Sequence, residues 1–342
     1  MDENVQGKAA ARLSETDLVR AIRRVLSGDA PGVVVGVGDD AAVVEPGEHQ
    51  LVLSADPLVE GVHFRLETTS AHNLGHKAIS VNVSDLAAMG ASPRYALVCI
   101  AVPRETEPSW IMGFYGGVRE AADEYGLGVV GGDTSRAERV FIAPFVVGAV
   151  GVGRAVTRRG ARPGDRLVVT GSLGAAAGGL RLTQAATREV RAALATDWER
   201  QLVAAYERPS ARVGEGQILA RVGATAMMDI SDGLALDLSR LCEESGIGAR
   251  IQLMAVPVSQ AMSELARLLK IDPLDLALHG GEDYELLAAV PPEAVEEARV
   301  RLKESLGTPL TEIGEIADGA VVAVDADGVQ RILEPRGWDH FA

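Results

Sequence analysis

An α/β chain (α+β in its looser alternation) of two domains is what this sequence predicts, on three observations. Apolar strand-like runs alternate with segments of helical period. The 342 residues exceed the span of most single domains. A basic, turn-rich stretch, RRGARPGD at 158–165, breaks the composition near residue 155. A hydrophobic share of 47% is enough for a buried core.

The elements follow in chain order. Residues 1–12 read as a flexible tail. SETDLVRAIRRVL predicts a helix opened by Ser14, with a capping-box start and Leu18, Ile22 and Val25 at helical spacing. VVVGVGDDAAVV reads as a strand running into a turn, and QLVLSADPL as a second strand. Residues 71–89 predict a helix with Ala78, Asn82 and Asp85 on one face. YALVCIAVP is a strand, Trp110–Tyr125 a helix, GLGVVGGD a short buried strand and VFIAPFVVGAVG a longer one. These elements make a first domain of residues 13–154.

The second domain, 155–342, repeats the grammar. RLVVTGSLG is a strand ending in glycines, followed by a Gly/Ala-rich helix from 174 and a helix at 197–206. ATAMMDIS is a strand, Leu234–Cys242 a helix, YELLAAV a strand and PPEAVEEARVRLKESLG a helix before the closing strands. No short-period repeat is present.

A net charge of −15 argues against a nucleic-acid or anionic-membrane surface, both of which need clustered Lys and Arg. The longest weakly polar run, Val140–Gly153, falls short of the roughly 20 residues that span a bilayer. MDENVQGKAAARL lacks the apolar core of a secretory signal. The expectation is a soluble, cytoplasmic protein. Cys99 and Cys242 sit among apolar residues and read as small buried hydrophobes in a reducing compartment.

The chemistry is concentrated in acidic turns. Carboxylates end one apolar stretch after another: Asp39 and Asp40 in GDDAAV, Asp56 in SADPL, Asp85 in NVSDLAAMG and Asp133 in GGDTS. Asp229 and Asp232 lie in DISDGL, and Glu282 and Asp283 in HGGEDYEL. One Asp-Gly is a turn; this many suggest carboxylates converging on hard cations. Mg²⁺ takes oxygen ligands and is held by a few carboxylates together with substrate phosphates. Phosphoryl chemistry is the class that fits.

Taken singly, the motifs differ in strength. A turn favours Gly-Asp at Asp39 and Asp40 as readily as a site does. Ser231 or Asp232 would serve equally as a helix cap, but capping does not explain Asp229, inside a strand, where a buried carboxylate needs a partner or a metal. Asp85 lies mid-helix among Ala, Leu and Met, where an unpaired carboxylate costs several kcal/mol. The glycines before Asp133 allow a close backbone approach to a phosphate or metal, or a tight turn between strands. His63 in VEGVHF reads by itself as a core histidine, and Arg154 either ends a strand or meets a phosphate. No G-x-x-x-x-G-K-[ST] loop, protein-kinase motif set or G-x-G-x-x-G occurs, so phosphates would have to be neutralised by metals.

In order and spacing, GVGDDAAV, ADPLVEGVHF, NVSDLAAMGASP, GGDTS, DISDGL and GGEDYEL resemble the thiamine-monophosphate kinases of the AIR-synthetase-like (PurM-like) superfamily. The resemblance runs from about Ser14 to the closing RGWDHF. It implies a PurM-like two-domain fold whose N-terminal domain dimerises, and ATP-dependent, direct in-line phosphorylation of thiamine monophosphate without a phosphoenzyme. It implies several Mg²⁺ ions held by Asp40, Ser54, Asp56, Asp85, Asp133, Asp229 and Asp232. Tyr115, Gly132, Asp133, Arg154 and Ser231 would contact ATP; His63, Glu282 and Trp338 would hold thiamine monophosphate, which reverses the bland reading of His63. No covalent or general-base residue is implied. Where the family carries a second hydroxyl, this chain has Ala55 between Ser54 and Asp56, which puts one metal ligand in question.

Relatives within the superfamily are set aside on residues. There is no Cys before Cys99, as selenophosphate synthesis would need, and no reactive Cys at the end, where the chain reads Asp-His-Phe-Ala. A non-catalytic sensor of thiamine phosphates would keep His63, Glu282 and Trp338 and lose metal ligands, whereas the acidic set here is nearly complete.

Overall fold

The computed structural model describes residues 33–35, 42–45, 48–184 and 187–340, and it arranges their strands in two seven-stranded sheets. The predicted tail, the helix from Ser14, and Asp39 and Asp40 lie outside the described residues. The first sheet holds β1 (Val33–Val35), β2 (Ala42–Val44), β3 (His49–Ser54), β4 (Leu58–Val59), β5 (Ser92–Val102), β6 (Gly128–Arg136) and β7 (Phe141–Gly151). Its order is β1-β2-β3-β7-β5-β6, with β4 added on β7. All its pairings are antiparallel except β5 with β6.

Two helices, α1 (Ala71–Ala88) and α2 (Pro108–Tyr125), cover one side of this sheet. Ser70 starts α1: its Oγ accepts from the Asn73 N–H at 3.1 Å, an N-cap. From Leu74 onward every residue of α1 is buried. The two helices cross on glycines. A Cβ at Gly75 would stand 1.9 Å from the Phe114 carbonyl oxygen, and one at Gly117 1.8 Å from that of His72. No side chain fits at either position.

The second sheet comprises β8 (Arg166–Thr170), β9 (Ala226–Asp229), β10 (Gly248–Gln252), β11 (Leu286–Val290), β12 (Leu310–Ala317), β13 (Val321–Val324) and β14 (Gln330–Ile332), in the order β14-β13-β10-β12-β8-β11-β9. Around it lie α3 (Ala175–Gln184), α4 (Arg188–Ala193), α5 (Thr196–Glu207), α6 (Val213–Val222), α7 (Leu234–Ser245), α8 (Gln260–Leu269), α9 (Pro273–His279) and α10 (Val295–Leu306). The halves are not independent. α1 packs against α6 and the end of β9 as well as against its own sheet, and Ala211 and Tyr284 join the N-terminal core.

Three expectations change. GLGVVGGD is not a short buried strand: β6 runs nine residues to Arg136, all exposed, and GGDTS lies within it rather than at its end. The reason is position: among the described residues β6 is an edge strand pairing with β5 alone, and an apolar run does not announce whether anything covers it. Cys99 is exposed, because burial alternates along β5 and Cys99 falls on the outward face; Cys242 is buried as expected. QLVLSADPL is broken, β3 ending at Ser54 and β4 beginning at Leu58. Helices α4, α6, α8 and α9 had no counterpart in the sequence reading.

Candidate active site at the junction of the two halves

Helix α1 organises the junction. Asp85 and Asp229 are 7% and 3% exposed, and each carboxylate accepts a short hydrogen bond from a serine hydroxyl. Ser54 Oγ, at the end of β3, donates to Asp85. Ser84 Oγ donates to Asp229 Oδ2 at 2.5 Å, at the end of β9. Adjacent residues of one buried helix therefore engage strand ends from both sheets. One turn back, Asn82 accepts from the Asp56 N–H at 2.7 Å and returns a bond to the Asp56 carbonyl at 3.1 Å, fixing the chain just after Ser54. Asp56 itself is exposed. Asn82 and Asp85 of the predicted face thus contact the β3–β4 connection and the end of β3.

Asp232 and Ser231 lie in the loop between β9 and α7. Neither is a side-chain cap: the N-cap position is Gly233, and the carboxylate of Asp232 pairs instead with Arg240 Nη1 at 2.5 Å. Arg240 also reaches Asp237 at 3.0 Å, and Asp237 Oδ2 accepts from the Asp232 N–H at 3.0 Å. Burial pushes the Asp237 carboxyl up, with the Asp232 charge adding to it.

The loop before β11 docks on this one. Glu282 N–H donates to the Ser231 carbonyl at 2.7 Å, and Tyr284 N–H to the Ile230 carbonyl at 2.9 Å. Asp283 turns inward and accepts from the Gly174 and Ala176 amides at the start of α3, at 2.8 and 3.4 Å. Burial raises its pKa against those two bonds. The carboxylate of Glu282 forms an ion pair with Lys77 of α1 at 2.6 Å.

A third wall is aromatic. The Trp338 N–H donates to the Asp232 carbonyl at 3.0 Å, which brings the closing segment over the same loop. Trp338 is 48% exposed, stands edge-on to His340 at 5.6 Å, and its Nε1 donates toward the His340 ring. His340 in turn lies 5.0 Å from the His63 ring. His63 is half-buried, and its Nδ1 accepts from the Val59 N–H at 3.0 Å, so the ring is the neutral Nε2–H tautomer. Desolvation, reinforced by the neighbouring His340 and Lys77, lowers its pKa to about 4.

The predicted residues thus fall into two sets. Ser54, Asp56, Asp85, Asp229, Ser231, Asp232, His63, Glu282 and Trp338 are linked by the contacts just described. None of those contacts, among the described residues, reaches Tyr115, Gly132, Asp133 or Arg154. Tyr115 is half-buried on α2 against Phe114. Asp133 lies mid-strand on exposed β6, its carboxylate accepting from Ser135 Oγ at 3.1 Å. Beside it, a Cβ at Gly132 would stand 1.9 Å from the Val98 carbonyl oxygen, so that position admits glycine alone. Arg154 is exposed after β7.

Sequence reasoning missed Lys77, Ser84, His340 and Arg240. Two surface cavities, of about 390 Å³ beside Gln217 and Arg301 and about 230 Å³ beside Leu278 and Arg331, contain none of the predicted site residues.

Among the described residues no three His, Cys, Asp or Glu side chains come together as a ready metal centre. The donor chemistry at Asp85 and Asp229 is nevertheless carboxylate oxygen supported by hydroxyl, held at strand ends from both sheets. That suits a hard divalent cation, and Mg²⁺ ordinarily takes one or two protein carboxylates and completes its shell with water and substrate phosphates.

Comparison with known proteins places this geometry. Residues 38–153 match the N-terminal domain model of AIR synthase related proteins, and residues 162–327 the C-terminal one. The thiamine-monophosphate kinase of Aquifex aeolicus (strain VF5) is 37% identical over 96% of this chain and 98% of its own length. That of Bacillus subtilis (strain 168) is 34% identical over 96% of this chain and all of its own. Among solved structures, one described as "AaThiL complexed with AMPPCP and TMP" superposes with a TM-score of 0.84 at 35% identity, covering 99% of this chain and 100% of that one.

Proposed function

The chain belongs to the thiamine-monophosphate kinase family of AIR synthase related proteins, and from that premise we propose that it transfers the γ-phosphoryl group of ATP to thiamine monophosphate, giving thiamine diphosphate and ADP. The observation that carries this reading is the juncture of Asp85 and Asp229 through neighbouring residues of one buried helix. It occurs in a chain similar end to end to such kinases.

Phosphoryl transfer asks a protein mainly for positioning and charge stabilisation. The attacking group is a phosphate oxygen that is already largely ionised near pH 7, so no side chain is required as a base. Ser54 and Ser84 fix the carboxylates of Asp85 and Asp229 in place, and their burial keeps competing water away. We assign magnesium to Ser54, Asp56, Asp85, Asp133, Asp229 and Asp232, with Asp40 beyond the described residues. The metal supplies neutralisation of the phosphate charge. We assign the nucleotide to Tyr115, Gly132, Asp133, Arg154 and Ser231, and the thiamine moiety to His63, Glu282 and Trp338. A neutral His63 and a Trp338 ring suit a cationic thiazolium, which a protonated imidazole would repel.

We place the domain boundary at about residue 155 and the activity in the cytoplasm; among the described residues no helix is long and apolar enough to cross a membrane. We further propose a homodimer built on the outward face of β5, β6 and β7. Tyr95, Leu97, Val130, Phe141 and Phe145 are all exposed there, an apolar patch that a second copy would cover. An assay of ADP release, with thiamine monophosphate set against aminoimidazole ribotide substrates, tests the reaction. Turnover confined to thiamine monophosphate is expected, and turnover of the aminoimidazole compounds instead would overturn it.

A further inference from the structure

Lys77 is a buried cation with no place among the residues assigned to metal, nucleotide or substrate. It is 1% exposed, and three contacts hold its ammonium group. Glu282 Oε1 lies at 2.6 Å, the Tyr206 carbonyl at 3.0 Å, and the Tyr206 ring centroid at 4.2 Å. Burying an ammonium costs several kcal/mol unless it is well paired, and a hydrophobic residue of similar volume often stabilises a fold as well. Stability alone is therefore a poor reason for a lysine here.

Its partner is held at a cost. Glu282 sits at φ 67° and Tyr284 at φ 50°, left-handed conformations that cost a non-glycine residue about 1–3 kcal/mol each and persist only where surroundings enforce them. Backbone bonds to Ser231 and Ile230 enforce them, together with the inward grip of Asp283 on α3. The backbone thus fixes where the Glu282 side chain begins, but not where its carboxylate ends. The side chain remains 25% exposed, and among the described residues Oε2 accepts no hydrogen bond. Lys77 also lies close enough to His63 for its charge to help keep that ring neutral, which puts the pair beside the histidine wall.

We infer that Lys77 is a positioning residue for substrate recognition: it clamps Oε1 of Glu282 and so presents Oε2 to the exocyclic amino group of the aminopyrimidine. This inference rests on the kinase reading. A carboxylate held by one oxygen is a directed acceptor, whereas a free glutamate would sample several rotamers and lose entropy on binding.

The test is a double-mutant cycle on the full chain, with KM for thiamine monophosphate and for ATP measured separately. Lys77→Met and Glu282→Gln should each raise KM for thiamine monophosphate about tenfold. The pair should do no worse than either alone, because both remove one device. KM for ATP should stay within about twofold. A monophosphate analogue with oxygen in place of the exocyclic amino group should feel neither change. Should Lys77→Met fail to fold, Lys77→Gln takes its place, deleting the charge while keeping a donor for the Tyr206 carbonyl.

Additive losses, or equal losses for both substrates, would overturn the positioning role and leave Lys77 a structural cation. Absence of thiamine monophosphate turnover in the unmodified chain would overturn the kinase reading instead, so the two failures are distinct.

Discussion

The two sheets treat their apolar strands in opposite ways. In the second, β9 and β11 are buried at every residue and β8 at all but its first, with helices around them. In the first, β5 and β7 bury alternate residues and β6 buries none, so among the described residues nothing covers one face. Val130 on that face is 63% exposed. The acidic residues inherit the difference. Asp229 ends a fully covered strand and is locked by Ser84, while Asp133 stands in solvent on the uncovered edge. A covered sheet holds its carboxylate dry and fixed; an open one leaves it in water.

The largest test of that contrast is at its buried end. Asp229→Asn, or Asp85→Asn, should cut turnover on the order of 10²–10³-fold or more at saturating magnesium, since on the proposed assignment each removes a fixed charge that would hold metal at the transferring phosphoryl. Melting curves should stay within a few degrees of the parent. Near-parental rates for either variant would break the distinction between covered and uncovered carboxylates.

The open face comes next. Were a second copy seated on this face as proposed, Val130→Glu would bury a charge in the contact, a penalty of several kcal/mol. Sedimentation at micromolar concentration should then show monomer where the parent shows dimer. A parent that sediments as a monomer would mean that no second copy covers β6.

Smaller effects sharpen the picture at the aromatic wall. Trp338→Ala should weaken thiamine monophosphate about tenfold and ATP little, as expected for a ring worth roughly 1–2 kcal/mol beside a partly desolvated cation. Separate titrations of the two ligands decide it; equal weakening of both would make Trp338 a clasp for the closing segment. The smallest effect is in pH. His63 has a folded pKa depressed from 6.5 to about 4, so the stability that its neutral form contributes is complete above pH 6.5. That contribution is lost as pH falls through about 4, and an NMR titration should find the ring unprotonated at pH 5.5. Protonation near pH 6.5 would remove His63 from a desolvated wall.

Much of this was legible in the sequence. The long helices α1 and α2 and strands β5, β7, β8 and β11 announced themselves through sustained periodicity, and the burial of Asp85 followed from its apolar neighbours. The exposure of β6 was not legible, because GVV reads alike on a covered strand and on an edge. Helix α6 was missed because Gly214 and Gly216 suggest a turn; Gly216 is there because its Cβ would stand 2.0 Å from the Ala87 carbonyl oxygen of α1. Lys77 gave a faint signal, as the one lysine in an 18-residue helix otherwise poor in charge, but a lysine usually marks the wet side. His340 lay in the closing motif, and nothing local tied it to His63, 277 positions earlier.

The enclosure of α1 has a kinetic meaning. Its amides are sheltered by elements of both halves, so no partial opening of one half exposes them. Their exchange with deuterium should follow the global unfolding free energy, while those of β6 exchange through local fraying. Two halves threaded on one shared helix should also melt in a single calorimetric transition, their fates tied although each carries its own sheet.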